Sequence, residues 1–196
     1  MSHETKKLYK KYARGAMGRR EFLEKLAALA GGTAAAAALL PVLESEGGSG
    51  APQLVPKDDP RLETEYVKYP TESGEMRAYQ ARPKAAEKLA GVIVIHENRG
   101  LNAHIEDITR RVALEGFVAV APDALTAFGG TPENPDEARP LFQKLDPEAN
   151  TKNFVAAVAY LKTHPQTTGK VGCMGFCWGG GVTNQVAVHA PDLTAA

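Results

Sequence analysis

Gly175-Phe176-Cys177-Trp178-Gly179-Gly180-Gly181 stands between an apolar run, Lys170 to Met174, and a segment of helical character from Val182 to His189. That order is strand, sharp turn, helix. In so tight a turn strand and helix nearly touch, so the residues two before and two after the tip must be small. Gly175 and Gly179 occupy those places around Cys177. The turn lifts the tip residue clear of the sheet, and the helix N-terminus behind it favours negative charge there. Cys177 therefore reads as a nucleophile presented on an elbow, the alternative being an ordinary buried cysteine. A glycine-rich phosphate cradle fails on detail. The spacing is not G-x-G-x-x-G, and Phe176, Cys177 and Trp178 fill the place where bare backbone would approach a pyrophosphate.

Upstream of the elbow, strands and helices alternate. Val92-Ile93-Val94-Ile95 is a continuous β-branched run, the pattern of a strand covered on both faces, and is predicted central and parallel. The next segment places Ile105, Ile108 and Val112 on one helical face and Glu106, Asp107, Arg110 and Arg111 on the other, with Gly116 at the expected C-terminal cap. Phe117 to Ala121 supplies another buried strand. A Pro- and Gly-rich excursion, Gly129 to Pro147, precedes a helix carrying Phe154, Val158 and Leu161, which His164-Pro165 stops. Ahead of all these, Glu65 to Tyr69 and Met76 to Ala81 flank Pro70-Thr71-Glu72-Ser73-Gly74 and are predicted to form an antiparallel hairpin at the sheet edge. The fold class is α/β, a mostly parallel sheet with right-handed crossovers and an antiparallel N-terminal hairpin.

A chain of 196 residues can bury one core, and 43% hydrophobic with 23% charged residues is ordinary for a globular protein. Its zero net charge hides an asymmetry. Residues 1–25 carry eight of the 23 basic side chains and three of the 23 acidic ones, leaving a mildly acidic body that argues against nucleic-acid binding. Gly18-Arg19-Arg20-Glu21-Phe22-Leu23 is followed by an apolar stretch, Leu26 to Leu40, too short and too rich in Ala and Gly to span a bilayer comfortably. This resembles a twin-arginine export signal, which implies the twin-arginine machinery as a partner and a periplasmic or otherwise exported protein. The alternative is an amphipathic helix retained on a cytoplasmic protein. Glu44 to Pro52 has the composition of a flexible linker, so the chain divides into a leader (1–43), a linker (44–58) and a folded domain (59–196). Cys173 and Cys177 are the only cysteines. On one extended strand they stand about 13 Å apart, beyond the roughly 7 Å that a disulfide spans. Without a second cysteine pair they give zinc little support, and no feature calls for a metal or an organic cofactor.

Gly175-Phe176-Cys177-Trp178-Gly179-Gly180, together with His96-Glu97-Asn98-Arg99-Gly100-Leu101 after the central strand and Ala121-Pro122-Asp123 after the next, resembles the dienelactone hydrolase family of α/β-hydrolases. The resemblance covers about residues 60 to 192. It implies a partial α/β-hydrolase fold and hydrolysis of a small-molecule ester or lactone through a Cys177 thioester, without a cofactor. It assigns Glu97 to contact with the Cys177 sulfur and control of its ionisation; otherwise Glu97 reads as a loop carboxylate paired with Arg99. It places the oxyanion hole at the backbone N–H groups of Trp178 and Asn98. Arg99 is a candidate for holding a substrate carboxylate, or else a solvated charge. His96 lacks the H-E-x-x-H spacing of a metal site and reads as a strand-end histidine. Asp123 reads as a structural hydrogen-bonding residue and Cys173 as a small core side chain, while Trp178 and Phe128 hint at an apolar pocket.

In α/β-hydrolases the acid and the histidine follow the nucleophile along the chain, on loops after later strands. The sequence ends at Ala196, soon after the elbow helix, so those strands are expected to be missing. His189 and Asp192 are the only downstream candidates. His189 would lie roughly 18 Å along the helix, far beyond the ~3 Å reach of a general base. The expected consequences are impaired hydrolysis and self-association through an exposed sheet edge. A reading of a different class is a non-catalytic fragment or small-molecule-binding module.

Overall fold

A computed structural model describes residues 3–13, 17–36, 53–84 and 87–196, in two compact units, Met1–Gln53 and Leu54–Ala196. In the first, α1 (His3–Ala13) and α2 (Arg19–Ala30) bury Phe22 and Leu26, and the Tyr12 ring stacks on Phe22 with centroids 4.4 Å apart. Gly31, at φ +80°, closes α2 by donating its N–H to the Ala27 carbonyl. The arginine pair thus opens a helix with a packed apolar face. The end of the apolar stretch and the linker from Glu44 to Pro52 lie outside the described residues. Among the described residues no helix is long and apolar enough to cross a membrane.

The second unit is a five-stranded sheet in the order β1-β2-β4-β3-β5. The hairpin strands β1 (Leu62–Thr71) and β2 (Gly74–Pro83) are longer than the sequence pattern indicated, because Pro70 and Thr71 continue the ladder and leave Glu72-Ser73 alone in the turn. Gly74, at φ +122°, makes that turn possible. β2 pairs antiparallel with β4 (Val118–Pro122). β3 (Leu89–Ile95) lies between β4 and β5 (Thr167–Gly175), parallel to both, as its unbroken apolar run predicts.

Both faces of β3 are buried. Ile93 and Ile95 pack with Phe154, Leu161, Val182 and Val186 on one side, under α5 (Pro147–Thr163) and α6 (Trp178–His189). Val94 packs with Ala119, Ile105 and Ala113 on the other, under α3 (Ala103–Leu114). Each buried Ile or Val contributes roughly 1.5–3 kcal/mol. Side-chain caps start the helices that flank the site. Asn102 Oδ1 accepts from the N–H groups of His104 and Ile105 at 3.0 and 3.1 Å, and Asp146 Oδ1 accepts from Ala149 N–H at 2.8 Å.

The compact unit takes in Leu54–Ala196, so the segment just ahead of Asp59 packs on it. Val55 is buried, its N–H donating to Asp107 Oδ1 at 2.8 Å and its carbonyl accepting from Arg110 Nε at 2.8 Å. That segment covers the charged face of α3, so Glu106, Asp107 and Arg110 are buried, and only Arg111 of the four is exposed. The Gly129–Pro147 excursion contains a helix, α4 (Pro135–Phe142), started by Asn134 Oδ1 accepting from Asp136 N–H at 3.1 Å.

The outer edge of β5 is not bare. Thr194 N–H donates to the Val171 carbonyl at 2.8 Å and Cys173 N–H donates to the Ala195 carbonyl at 2.9 Å, so the chain after α6 returns alongside β5 in parallel.

Candidate active site

Cys177 sits between β5 and α6 with φ 52° and ψ −112°, the one non-glycine residue with positive φ among the described residues. Such a conformation costs about 1–3 kcal/mol and persists only where its surroundings enforce it. The glycines show how. A Cβ at residue 175 would collide with the Gly179 backbone and stand 2.5 Å from Thr183 Oγ1. A Cβ at residue 179 would stand 2.5 Å from the carbonyl oxygens of both Ile95 and His96. α6 therefore begins at Trp178, four residues earlier than its apolar pattern suggested, with the three glycines inside its first turn.

The two cysteines differ in environment. Cys177 is exposed and its thiol makes no hydrogen bond among the described residues, whereas Cys173 is buried, with its sulfur 3.8 Å from Thr183 Oγ1. Burial pushes the Cys173 thiol up to about 11. Both are free thiols.

The segment after β3 supplies the remaining candidates. Glu97, Asn98 and Arg99 are half-buried there. Among the described residues the Glu97 carboxylate makes no hydrogen bond or ion pair, with Cys177 and Arg99 included. His96 is fully buried and engaged at both nitrogens, Nδ1 with the Glu97 carbonyl at 2.7 Å and Nε2 with Ala124 N–H at 3.1 Å. Burial holds its pKa below 6.5, against the carboxylates of Asp123 and Glu97. Its ring stacks on the Trp178 indole, centroids 5.5 Å apart and planes within 8°, with Phe142 and Phe154 edge-on. The Trp178 side chain thus supports the elbow from the core side, and of the two aromatics expected at a pocket Phe128 is the exposed one.

Asp123, buried at the end of β4, fastens the same segment from the other side. Its carboxylate accepts from Leu125 N–H at 3.1 Å, Thr131 N–H at 2.8 Å and Thr131 Oγ1 at 2.7 Å, and Leu101 N–H in turn donates to Thr131 Oγ1 at 2.8 Å. Gly100, at φ +77°, leaves the space that Thr131 fills. Sequence reasoning passed over Thr131 and Phe142. The Asn134 cap followed by Ala138 and Phe142 four residues apart was the signal for the latter.

The two N–H groups expected to hold an oxyanion, those of Trp178 and Asn98, have no hydrogen-bond partner among the described residues, and neither have those of Glu97 and Cys177. Proton acceptors are less well supplied. His96 has both nitrogens occupied, and His189 lies exposed at the far end of α6 with Nδ1 2.8 Å from the Gln185 carbonyl oxygen. An open groove of about 930 Å³ runs between α5 and α6, lined by Lys152, Val155, Ala159 and Gln185 among others, and does not include Cys177. No group of three or more metal-ligating side chains stands together among the described residues.

The chain is similar to known proteins. The model of the dienelactone hydrolase family matches residues 76–196. A provisionally named hydrolase fragment of Escherichia coli K12 is 49% identical over 92 residues, 45% of this chain and 79% of that protein. A provisionally named carboxymethylenebutenolidase of Salmonella typhi is 34% identical over 151 residues, 74% of this chain and 56% of the relative. The crystal structure of a provisionally named dienelactone hydrolase from Klebsiella pneumoniae superposes with a TM-score of 0.60 at 31% identity, covering 68% of this chain and 58% of that one. The chain thus spans little more than half the length of these last two. On the elbow, the sheet order and the matched residues together, the chain belongs to the dienelactone hydrolase family.

Proposed function

We propose that the chain carries the acyl-accepting site of an ester or lactone hydrolase of the carboxymethylenebutenolidase type, with Cys177 as nucleophile. The observation that carries this reading is Cys177 itself, exposed and held at a strained positive φ on the strand-to-helix turn, with the adjoining Trp178 N–H unpartnered among the described residues. The Cys177 thiolate attacks the carbonyl carbon, and the π electrons move onto the carbonyl oxygen. The N–H groups of Trp178 and Asn98 hold that oxyanion. Its collapse expels the alkoxide, which takes up a proton, and leaves a thioester on Cys177 that water then hydrolyses. Glu97, at the rim, governs when the thiol ionises, and Arg99 orients a substrate carboxylate.

Among the described residues neither His96 nor His189 is placed to take the thiol proton or activate the water. Acylation is therefore expected to outrun deacylation by orders of magnitude. Full turnover then requires a histidine and an acid from a longer form or a partner segment. With p-nitrophenyl acetate, the wild type releases about one equivalent of p-nitrophenol in a single burst, and Cys177→Ala releases none. No burst from the wild type would reject the reading in favour of a non-catalytic, small-molecule-binding module.

For the leader we propose export through the twin-arginine machinery, on the strength of Arg19-Arg20 ahead of an apolar stretch. Arg19→Lys/Arg20→Lys should hold the protein in the cytoplasm, and an identical distribution of wild type and variant would defeat the idea.

A further inference from the structure

The imidazole of His96 is fixed from both nitrogens. The backbone N–H of Ala124 points at Nε2 from 3.1 Å, so Nε2 accepts and carries no proton. Nδ1 is then the protonated nitrogen of a neutral ring, and it donates to the Glu97 carbonyl at 2.7 Å. The ring is completely buried, and the Trp178 indole on its face leaves it one orientation.

The Glu97 carbonyl and the Asn98 N–H belong to one peptide group. No described peptide bond is cis, so these two groups point in opposite directions across its plane. A carbonyl drawn inward to His96 therefore turns the Asn98 N–H away from the interior. The far end of the segment is anchored separately, by Leu101 N–H on Thr131 Oγ1. The same Glu97 carbonyl also accepts from Gly100 N–H at 3.2 Å, so the shorter His96 contact and this turn bond together set the peptide plane.

We propose that His96, protonated at Nδ1, is a positioning residue that aims the Asn98 N–H at the oxyanion formed when Cys177 is acylated. It touches no substrate and acts only through the Glu97 carbonyl. The proposal rests on the nucleophile reading above.

The test compares two reactions of Cys177 in the full chain. Acylation by p-nitrophenyl acetate develops negative charge on a carbonyl oxygen, whereas alkylation by iodoacetamide displaces iodide at a saturated carbon and needs no oxyanion donor. His96→Gln reaches the Nε2 position and keeps an acceptor for Ala124 N–H but loses the donor to Glu97. His96→Asn keeps a donor near Nδ1. His96→Gln should slow acylation by about 100-fold or more, the usual loss for one oxyanion donor, while alkylation stays within roughly twofold. His96→Asn should recover most of the acylation rate. Equal slowing of both reactions in His96→Gln, or no slowing of acylation, overturns the proposal.

If the wild-type thiol alkylates without acylating, the nucleophile reading has failed, and nitrogen-15 NMR still decides the role of His96. A bare Nε2, a protonated Nδ1 and an Asn98 amide signal displaced in His96→Gln but not in His96→Asn uphold it. A protonated Nε2 in the wild type overturns it.

Discussion

Gly179 lies so close to the carbonyl oxygen of His96 that a Cβ on its Cα would stand 2.5 Å away. The clash is with backbone, so neither partner can swing aside. Gly179→Ala should therefore destabilise the protein by roughly 1–3 kcal/mol, the usual cost of overpacking. Gly181 is the control, being exposed in the same helix with nothing within 4 Å of an added Cβ. Gly181→Ala should stabilise by about 0.5–1 kcal/mol. Urea denaturation of both variants measures the two signs, and equal effects would show that proximity is not the cause.

The environments of the two thiols predict selective labelling. At pH 8 the native protein should take up one carbamidomethyl group, on Cys177, because Cys173 is buried and its thiol is held at about 11. After denaturation it should take up two. Peptide mass spectrometry reads the sites, and modification of Cys173 in the native state would contradict the elbow geometry.

The core of this fold was legible because its signals are local. Val92 to Ile95 announced a doubly covered strand, and Gly175 with Gly179 announced a turn that no larger residue permits. What escaped was set by distant partners. The burial of Arg110 was not legible, because nothing in α3 reveals that Val55 will lie across it and accept from its Nε. His96 looked like an ordinary strand-end residue, since its partners Ala124 and Trp178 come from the ends of two other elements. Thr131 drew no notice because its value lies in linking Leu101 to Asp123.

That link gives a prediction of its own. Thr131→Val keeps the side-chain volume but removes the oxygen that accepts from Leu101 N–H and donates to Asp123 Oδ1. A donor and an acceptor then lose their common partner, which costs about 1–3 kcal/mol. Thr131→Ser restores the oxygen and should recover most of the loss. If Val and Ser behave alike in urea denaturation, the hydrogen bonds are not what matters.

Burial of His96 also has a pH signature. The unfolded chain protonates this residue near 6.5, and burial keeps the folded pKa below that value. The stabilisation is present in full above 6.5 and is lost as the pH falls, because the unfolded state then binds a proton that the folded state refuses. The slope is at most about 1.4 kcal/mol per pH unit. His96→Asn has no such proton to bind, so its stability should fall less steeply than that of the wild type as the pH drops below 6.5. Parallel curves for the two proteins would remove His96 as the cause.

The expected sheet-edge association must contend with the return of the chain along β5. Thr194 donates to the Val171 carbonyl and accepts from Val171 N–H through Oγ1 at 3.3 Å, while the Ala195 carbonyl accepts from Cys173 N–H. These contacts occupy the edge groups that would otherwise pair with a second copy. Thr194→Pro removes the N–H and the hydroxyl together and should release this part of β5. Light scattering over a concentration series should then show the variant associating at concentrations where the wild type is monodisperse. If wild type and variant associate equally, the segment after α6 does not guard the edge, and association proceeds through another surface.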